Sequence, residues 1–408
     1  MSYPLTSSPL HRRTVLKLFL SSGLGLGLAA CGGSSGDSAQ DRTTALLKTE
    51  AEAAVASGLV GVALGKVTDQ ASIDVVAGRR RLGQPALVTR DDRFAIGSNT
   101  KAMTCAALVA LAERGGPALS LTLPEAFGGW AGEIHPAYAG VTLSDLLHHL
   151  GGLPAFTGGG TEEQAFIAHV EAETSPLPTT PAGRRVYFAR WLLAQAPAAG
   201  LTPGRDFHYS NAGYVLAAAI IETATGKTFE AVFHEQLVQP LGLQGSWRSP
   251  VPGEHDLLWG HQGAAGALSV VEATDDALAT QDWLDIIGPA GHWACTGAAY
   301  AHWLRWHVQA LRGASTPLPR TYVNALRNAP AGRYVWGWQA QATPNRVLLT
   351  HTGHVPGFMA EAVIDQSGDF AVFGLSNTGQ LEQDGSSWVL SRIDQALAEV
   401  LKRESIAL

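Results

Sequence analysis

The residues of this chain best suited to covalent chemistry are Ser98 and Lys101, in the stretch Phe94-Ala-Ile-Gly-Ser-Asn-Thr-Lys-Ala-Met-Thr-Cys-Ala-Ala-Leu-Val-Ala-Leu. Gly97 reads as a break, and the Ala/Leu/Val/Met-rich run after it as the start of a buried helix. Positions three apart share one helix face, which sets the Ser98 hydroxyl beside the Lys101 amine. A serine at its free pKa is a weak nucleophile, and a desolvated lysine can take its proton. The partial positive charge of a helix N-terminus favours both a neutral amine and a developing oxyanion. Taken alone, Ser-x-x-Lys arises by composition about once in a chain of this length. Its bland reading is an N-cap serine followed by a solvated lysine. Against that stands the run after Lys101, apolar on nearly every face, which predicts a buried lysine in need of a reason.

Two further segments carry usable groups. In Pro203-Gly-Arg-Asp-Phe-His-Tyr-Ser-Asn-Ala-Gly-Tyr, Tyr209 and Asn211 are two apart and point to one side of an extended backbone. A phenol of depressed pKa beside a lysine could exchange a proton with a serine, and an amide could hold a substrate carbonyl. The alternative is a core tyrosine and an N-cap asparagine. Tyr322-Val323-Asn324 repeats the pattern, but inside an expected helix. The other segment is His351-Thr352-Gly353-His354-Val355-Pro356-Gly357-Phe358, at the end of an apolar strand. Backbone N–H groups at such a break could serve an oxyanion, with Gly353 allowing close approach of a substrate backbone. A polar turn closing a strand is the alternative there.

These segments need a scaffold that brings positions 98, 209 and 351 together. Helix periodicity is expected over residues 43–56, and strands over 58–67 and 72–78 with a turn at Asp69-Gln70. From Ser98 to about Arg327 the pattern is mostly helical: a short capped helix in 141–154, apolar helices over 214–225 and 229–238, and another over 298–311. Residues 155–183 show no clear period and read as a loop or flap, and 251–263 as irregular. Strands return at 334–339, 346–351, 358–365 and 369–377, before a last helix over about 386–401. The expected fold is α+β: an antiparallel sheet built from both chain ends (41–97 and 330–408), flanked by N- and C-terminal helices, with a helical subdomain (98–329) inserted.

The 408 residues suffice for a large core, and with 15% charged residues and a formal net charge of -7 nothing suggests nucleic acid. Three cysteines are too few for a disulfide scaffold, although a Cys105–Cys295 pair stays open. His148-His149 lacks a third ligand for a metal, Gly226-Lys227-Thr228 lacks the upstream glycine of a phosphate loop, and no Gly-x-Ser-x-Gly elbow is present. No metal or organic cofactor is expected. Residues 1–31 read as a bacterial export signal. Arg12-Arg13 has a twin-arginine look, an apolar run follows from Leu18 to Ala30, and Leu28-Ala-Ala-Cys31 resembles a lipobox that would lipidate Cys31. An uncleaved anchor is the alternative, though the run is short of the about twenty residues a span needs. Either way the rest of the chain is expected outside the cytoplasm on a membrane tether, with 32–40 as a flexible linker.

With these motifs in this order, the chain resembles the serine β-lactamase and penicillin-recognising superfamily, on the class C side that includes esterases and D-amino-acid peptidases. The likeness runs from about Ala45 to Leu401. It rests on Ser98-Asn-Thr-Lys101, Leu146-Leu-His-His-Leu-Gly-Gly-Leu-Pro154, Tyr209-Ser-Asn211, Gly213-Tyr-Val-Leu, Pro240-Leu-Gly-Leu243 and His351-Thr-Gly. The resemblance implies Ser98 as acylated nucleophile, Lys101 and Tyr209 as proton carriers, and an oxyanion hole from the N–H groups of Ser98 and His354. It implies Asn211, His351, Thr352 and Gly353 as substrate-binding positions. The substrate would be a small ester, amide or peptidoglycan-like molecule. The chain departs from the β-lactamase pattern in carrying His351 where those enzymes usually place lysine. Histidine is mostly neutral at neutral pH, so ester or small-amide hydrolysis is expected over β-lactam turnover, and carboxylate binding through His351 would strengthen from about pH 8 to about pH 6. A D-alanyl-type peptidase or β-lactamase, and a catalytically silent binding lipoprotein, are the alternatives.

Overall fold

The computed structural model describes residues 38–158, 160–173, 176–247, 258–271, 281–382 and 385–408. Arg12, Arg13 and Cys31 lie outside the described residues. The first helix, α1 (Ala39–Ala56), starts inside the stretch expected to be linker, because Ser38 and Asp41 form a capping box. That reciprocal pairing satisfies N–H groups a helix start otherwise leaves open.

Seven strands form one antiparallel sheet: β1 (Gly61–Val67), β2 (Ser72–Gly78), β3 (Tyr334–Val335), β4 (Trp338–Ala342), β5 (Val347–Val355), β6 (Phe358–Asp365) and β7 (Ala371–Ser376). Their order across the sheet is β2-β1-β7-β6-β5-β4-β3, so the strand from the N-terminal part pairs with the last strand of the chain. The α+β arrangement expected from the sequence is thus present. The stretch 334–339 is not one strand. Trp336 and Gly337 both have positive φ and turn it into the β3–β4 hairpin. β5 in turn continues through the His-Thr-Gly segment to Val355 instead of ending there.

Both faces of the central strands are covered, so they read as nearly unbroken apolar runs. Met359 and Val363 of β6 join α1 and the last helix in one core. Ala360, Ala362 and Ile364, which alternate with them, face the larger core shared with the helical subdomain. The other long helices are α2 (Thr100–Glu113), α3 (Thr161–Ala172), α4 (Pro181–Leu193), α5 (Asn211–Thr225), α6 (Gln281–Gly291), α7 (Gly297–Leu311), α8 (Arg320–Arg327) and α9 (Trp388–Arg403). The region 155–183 is therefore not a simple loop. It holds α3 and the start of α4, whose polar faces dilute the periodicity. Tyr322-Val-Asn324 lies in α8, where Tyr322 is buried against His307 and Trp338.

A buried arginine ties the helical subdomain together. Arg185 of α4 reaches both carboxylate oxygens of Glu222 on α5, Glu230 on the helix Phe229–Phe233, and the Asp285 carbonyl of α6. Its five donors fit this set, which compensates the cost of burying the charge. The network orients α5 and α6, each of which delivers one group to the site described next.

Candidate active site

Gly97 opens the site. Its φ of 53° belongs to the left-handed region that glycine tolerates. The turn Gly97–Asn99 leads directly into α2, and Thr100 Oγ1 donates to the Gly97 carbonyl at 2.7 Å. Residues Thr100 to Ala110 of α2 are all buried, as the apolar run demanded. Lys101 is 0% exposed, and its Nζ stands 3.0 Å from Ser98 Oγ.

Two other oxygens surround that amine, Asn211 Oδ1 at 2.6 Å and the Ala290 carbonyl at 2.7 Å. Asn211 is the first residue of α5, and its Nδ2 donates to the Phe156 carbonyl, which fixes the amide with its oxygen toward Lys101. Ala290 belongs to the last turn of α6, where helical carbonyls lack intrahelical partners. The neighbouring Pro289 carbonyl accepts from Thr104 of α2 in the same way.

This arrangement sets the lysine's role. Burial holds its pKa well below the ordinary 10.5, with Cys105 acting in the opposite direction. In its neutral form the amine has two hydrogens and one lone pair. Carbonyl oxygens only accept, so both hydrogens go to Asn211 and Ala290. The lone pair is left for Ser98, whose hydroxyl then donates to it. Lys101 is thus poised as a base.

Tyr209 behaves differently from the expectation. Burial raises its phenol above 10, while a hydrogen bond with Ser98 pulls in the opposite direction. Lys101 lies 4.9 Å from its ring centroid, but the neutral amine gives no charge to stabilise a phenolate. Tyr209 is a protonated phenol that can donate, and the expected depressed pKa does not occur. Two titratable neighbours pushed in opposite directions make a base and an acid at one pH.

The strand β5 supplies the second wall. Val355 and Phe358 flank a two-residue hairpin and pair in register, as do Gly353 and Ala360. Hydrogen-bonded and non-bonded pairs alternate in an antiparallel ladder, so the N–H of His354 points away from β6, off the sheet edge. There it meets the Ser98 turn. A Cβ on Gly353 would collide with the Ile96 carbonyl and stand 3.1 Å from Ser98 N, and one on Gly97 would strike His354 N. The glycines let the two segments touch, which sets the Ser98 and His354 amides side by side as donors for an oxyanion.

The other two groups of that motif face elsewhere. His351 is buried, with Nδ1 bonded to the Thr352 carbonyl at 2.8 Å and Nε2 accepting from the Tyr334 hydroxyl at 3.1 Å. A substrate carboxylate would have to displace one of these partners. Thr352 points to the opposite sheet face, where its hydroxyl donates to the buried Glu361 at 2.6 Å. That follows from the alternation of side chains along a strand. Asn211 likewise spends its oxygen on Lys101 and one amide hydrogen on Phe156, so a substrate carbonyl can claim only its second N–H. Cys105 and Cys295 are both buried thiols and do not pair with each other.

Three contributors escaped the sequence reading. The Ala290 carbonyl is backbone, which no residue type announces. Tyr334 and His149 line the far side of Tyr209, with ring centroids 6.4 Å and 4.3 Å from it. His149 sits in the Leu146–Pro154 segment, whose distinctive composition was the one available signal.

The fold is that of β-lactamase-type proteins. A family model described as Beta-lactamase matches residues 46–396, and the chain belongs to that family, whose members are serine hydrolases. The D-alanyl-D-alanine-carboxypeptidase/endopeptidase AmpH of Escherichia coli K12 is 27% identical over 200 residues, covering 48% of each chain. The matched region thus spans about half the length of that relative. Among solved structures, D-amino acid amidase from Ochrobactrum anthropi SV3 superposes with a TM-score of 0.67 at 20% identity, covering 89% of this chain and 99% of the other. The octameric penicillin-binding protein homologue from Pyrococcus abyssi gives 0.64 at 21% identity, covering 88% and 77%.

Proposed function

We propose that the protein is an exported serine hydrolase that cleaves small esters or amides through an acyl-Ser98 intermediate. The observation that carries this reading is the fully buried Lys101 amine, 3.0 Å from Ser98 Oγ and held in place by Asn211 Oδ1 and the Ala290 carbonyl. Lys101 takes the serine proton as Oγ attacks the substrate carbonyl carbon. The resulting oxyanion is held by the Ser98 and His354 N–H groups. Tyr209 gives its proton to the departing oxygen or nitrogen and regains one from the Lys101 ammonium. Water then attacks the acyl-serine with the same groups acting in reverse, which restores the free hydroxyl.

The test is turnover of a short-chain nitrophenyl ester and a chromogenic cephalosporin by the chain beginning after Cys31, as wild type and as Ser98→Ala. Ester turnover and a Ser98 mass adduct in the wild type only, with little cephalosporin turnover, is the expected result. Fast cephalosporin turnover would make it a β-lactamase. Absence of both turnover and adduct would leave the silent binding protein.

A peptidase acting on D-amino-acid peptides is the second reading, favoured by the likeness to AmpH, whose name states a D-alanyl-D-alanine carboxypeptidase and endopeptidase activity. The engagement of both His351 nitrogens supports the ester or amide reading over it, because no cation stands ready at that position for a terminal carboxylate.

The same proposal places the protein on the outer side of a bacterial membrane through lipid at Cys31. Its support is the order of Arg12-Arg13, the apolar run and Leu28-Ala-Ala-Cys31. Among the described residues no helix is long and apolar enough to cross a membrane. The full chain, expressed in a bacterium and fractionated, should enter the detergent phase, and Cys31→Ser should move it out. An unaltered partition would remove the lipid anchor.

A further inference from the structure

His149 takes no part in the proton transfers, yet three features mark it. Its φ of 60° is left-handed, a conformation a ring-bearing residue keeps only where the surroundings impose it. Its side chain is 1% exposed. Its Nε2 is buried without a hydrogen-bond partner.

The remaining contacts of His149 converge on three consecutive residues. The N–H of His208 donates to its carbonyl at 2.9 Å, and the N–H of Ser210 donates to its Nδ1 at 3.1 Å. Between them, the Tyr209 ring lies 4.3 Å from the imidazole, tilted by 35°. Tyr334 at 4.7 Å, Tyr214 at 5.3 Å and Phe207 at 5.8 Å pack around the same imidazole.

We infer that His149 is the positioning residue for Tyr209: it clamps the backbone on both sides of that residue and backs its ring, so that the phenol reaches Ser98. The inference rests on the hydrolase reading. Because Nδ1 accepts from Ser210, the ring hydrogen sits on Nε2, and an imidazolium would set two N–H groups against each other. The clamp therefore works only as neutral imidazole. Burial disfavours the charged ring as well.

Tyr209 matters in proportion to the basicity of the leaving group. Nitrophenolate departs without a proton, whereas ethoxide needs one. A displaced Tyr209 should therefore spare a nitrophenyl ester and penalise the ethyl ester of the same acid. A general packing defect would slow both alike.

The test compares kcat/KM for these two esters in the wild type, Tyr209→Phe, His149→Phe and His149→Asn. Phenylalanine keeps a ring but leaves the Ser210 N–H without an acceptor. Asparagine tolerates positive φ and sets an acceptor near the Nδ1 position, but removes the ring. In His149→Phe the ethyl ester should lose at least about tenfold more than the nitrophenyl ester, the same signature as Tyr209→Phe, and His149→Asn should show it in weaker form. If His149→Phe fails to fold, His149→Asn decides by the same ratio. Equal losses on both esters, or none, in a folded variant of an active enzyme would overturn the role of His149 alone. A wild type inactive on both esters would overturn the hydrolase reading and this role with it.

Discussion

Replacing Lys101 by methionine is expected to lower kcat for a nitrophenyl ester by about 10²–10⁴-fold, the usual worth of a positioned general base. Methionine fills the same buried space but cannot take the serine proton. In the wild type, the active form is the neutral amine, so activity is present above the lysine's folded-state pKa and lost as pH falls through it. That pKa lies well below 10.5, which carries the active range down toward neutrality. Tyr209 adds no loss on the alkaline side until above pH 10, because its phenol is shifted upward. A kcat/KM profile that rises toward acid would contradict the assignment of Lys101 as the base.

The same burial has a stability consequence of opposite sense. The unfolded chain binds a proton at Lys101 up to its ordinary pKa, while the folded chain releases it far sooner. Between those two values the unfolded state holds more protons, so folding stability rises with pH. Lys101→Met removes this dependence. The variant's midpoint in urea relative to wild type should therefore shift in the variant's favour from about pH 9.5 to about pH 6.5. Loss of the donors to Asn211 and Ala290 offsets part of the gain by an amount that does not change with pH. Equal differences at both pH values would mean that Lys101 is charged in the folded protein.

The second large effect belongs to Gly353→Ala. The new Cβ meets the Ile96 carbonyl and approaches Ser98 N, both on rigid backbone. To relieve the overlap, β5 and the Ser98 turn must separate, which pulls the Ser98 and His354 amides apart. Loss of one oxyanion donor typically costs about 10²–10³ in kcat. The overpacking should cost about 1–3 kcal/mol of stability as well. Gly128→Ala serves as control, since its Cβ would enter space with no neighbour within 4 Å. Kinetics and thermal melting of the two variants check this together. A folded Gly353→Ala variant with kcat within about threefold of wild type would exclude the amide pair as the oxyanion site.

Much of the site's chemistry is local, and local chemistry is legible. Ser98 and Lys101 share a turn, so their three-residue spacing already implies adjacency, and the apolar run after them implies burial. Thr142 marks a helix start through hydrogen bonds within three residues, whereas the Ser38 capping box lay hidden in a polar stretch that reads as linker. The alternation in 358–365 and the apolar run in 371–376 mark strands because side chains of period two meet two different cores. Where polar and apolar residues are mixed, as in α3, the pattern was too weak to separate helix from loop. At Trp336-Gly337 a two-residue turn hid inside what reads as a continuous aromatic strand.

By itself, then, the sequence pointed to Ser98 and Lys101 as candidate nucleophile and base, to most of the strands and helices, and to the α+β class. Each of these follows from residue type and spacing within a few turns of chain. The tertiary structure alone decided the direction in which the proton moves. Burial among distant packed segments disfavours the Lys101 ammonium, and the oxygens that accept from the amine come from Asn211, 110 residues away, and Ala290, 189 residues away. Tyr209 stays an acid because it is packed against His149 beside an uncharged amine. Carbonyls, amides and burial carry those decisions, and they acquire their meaning only when distant segments are folded together.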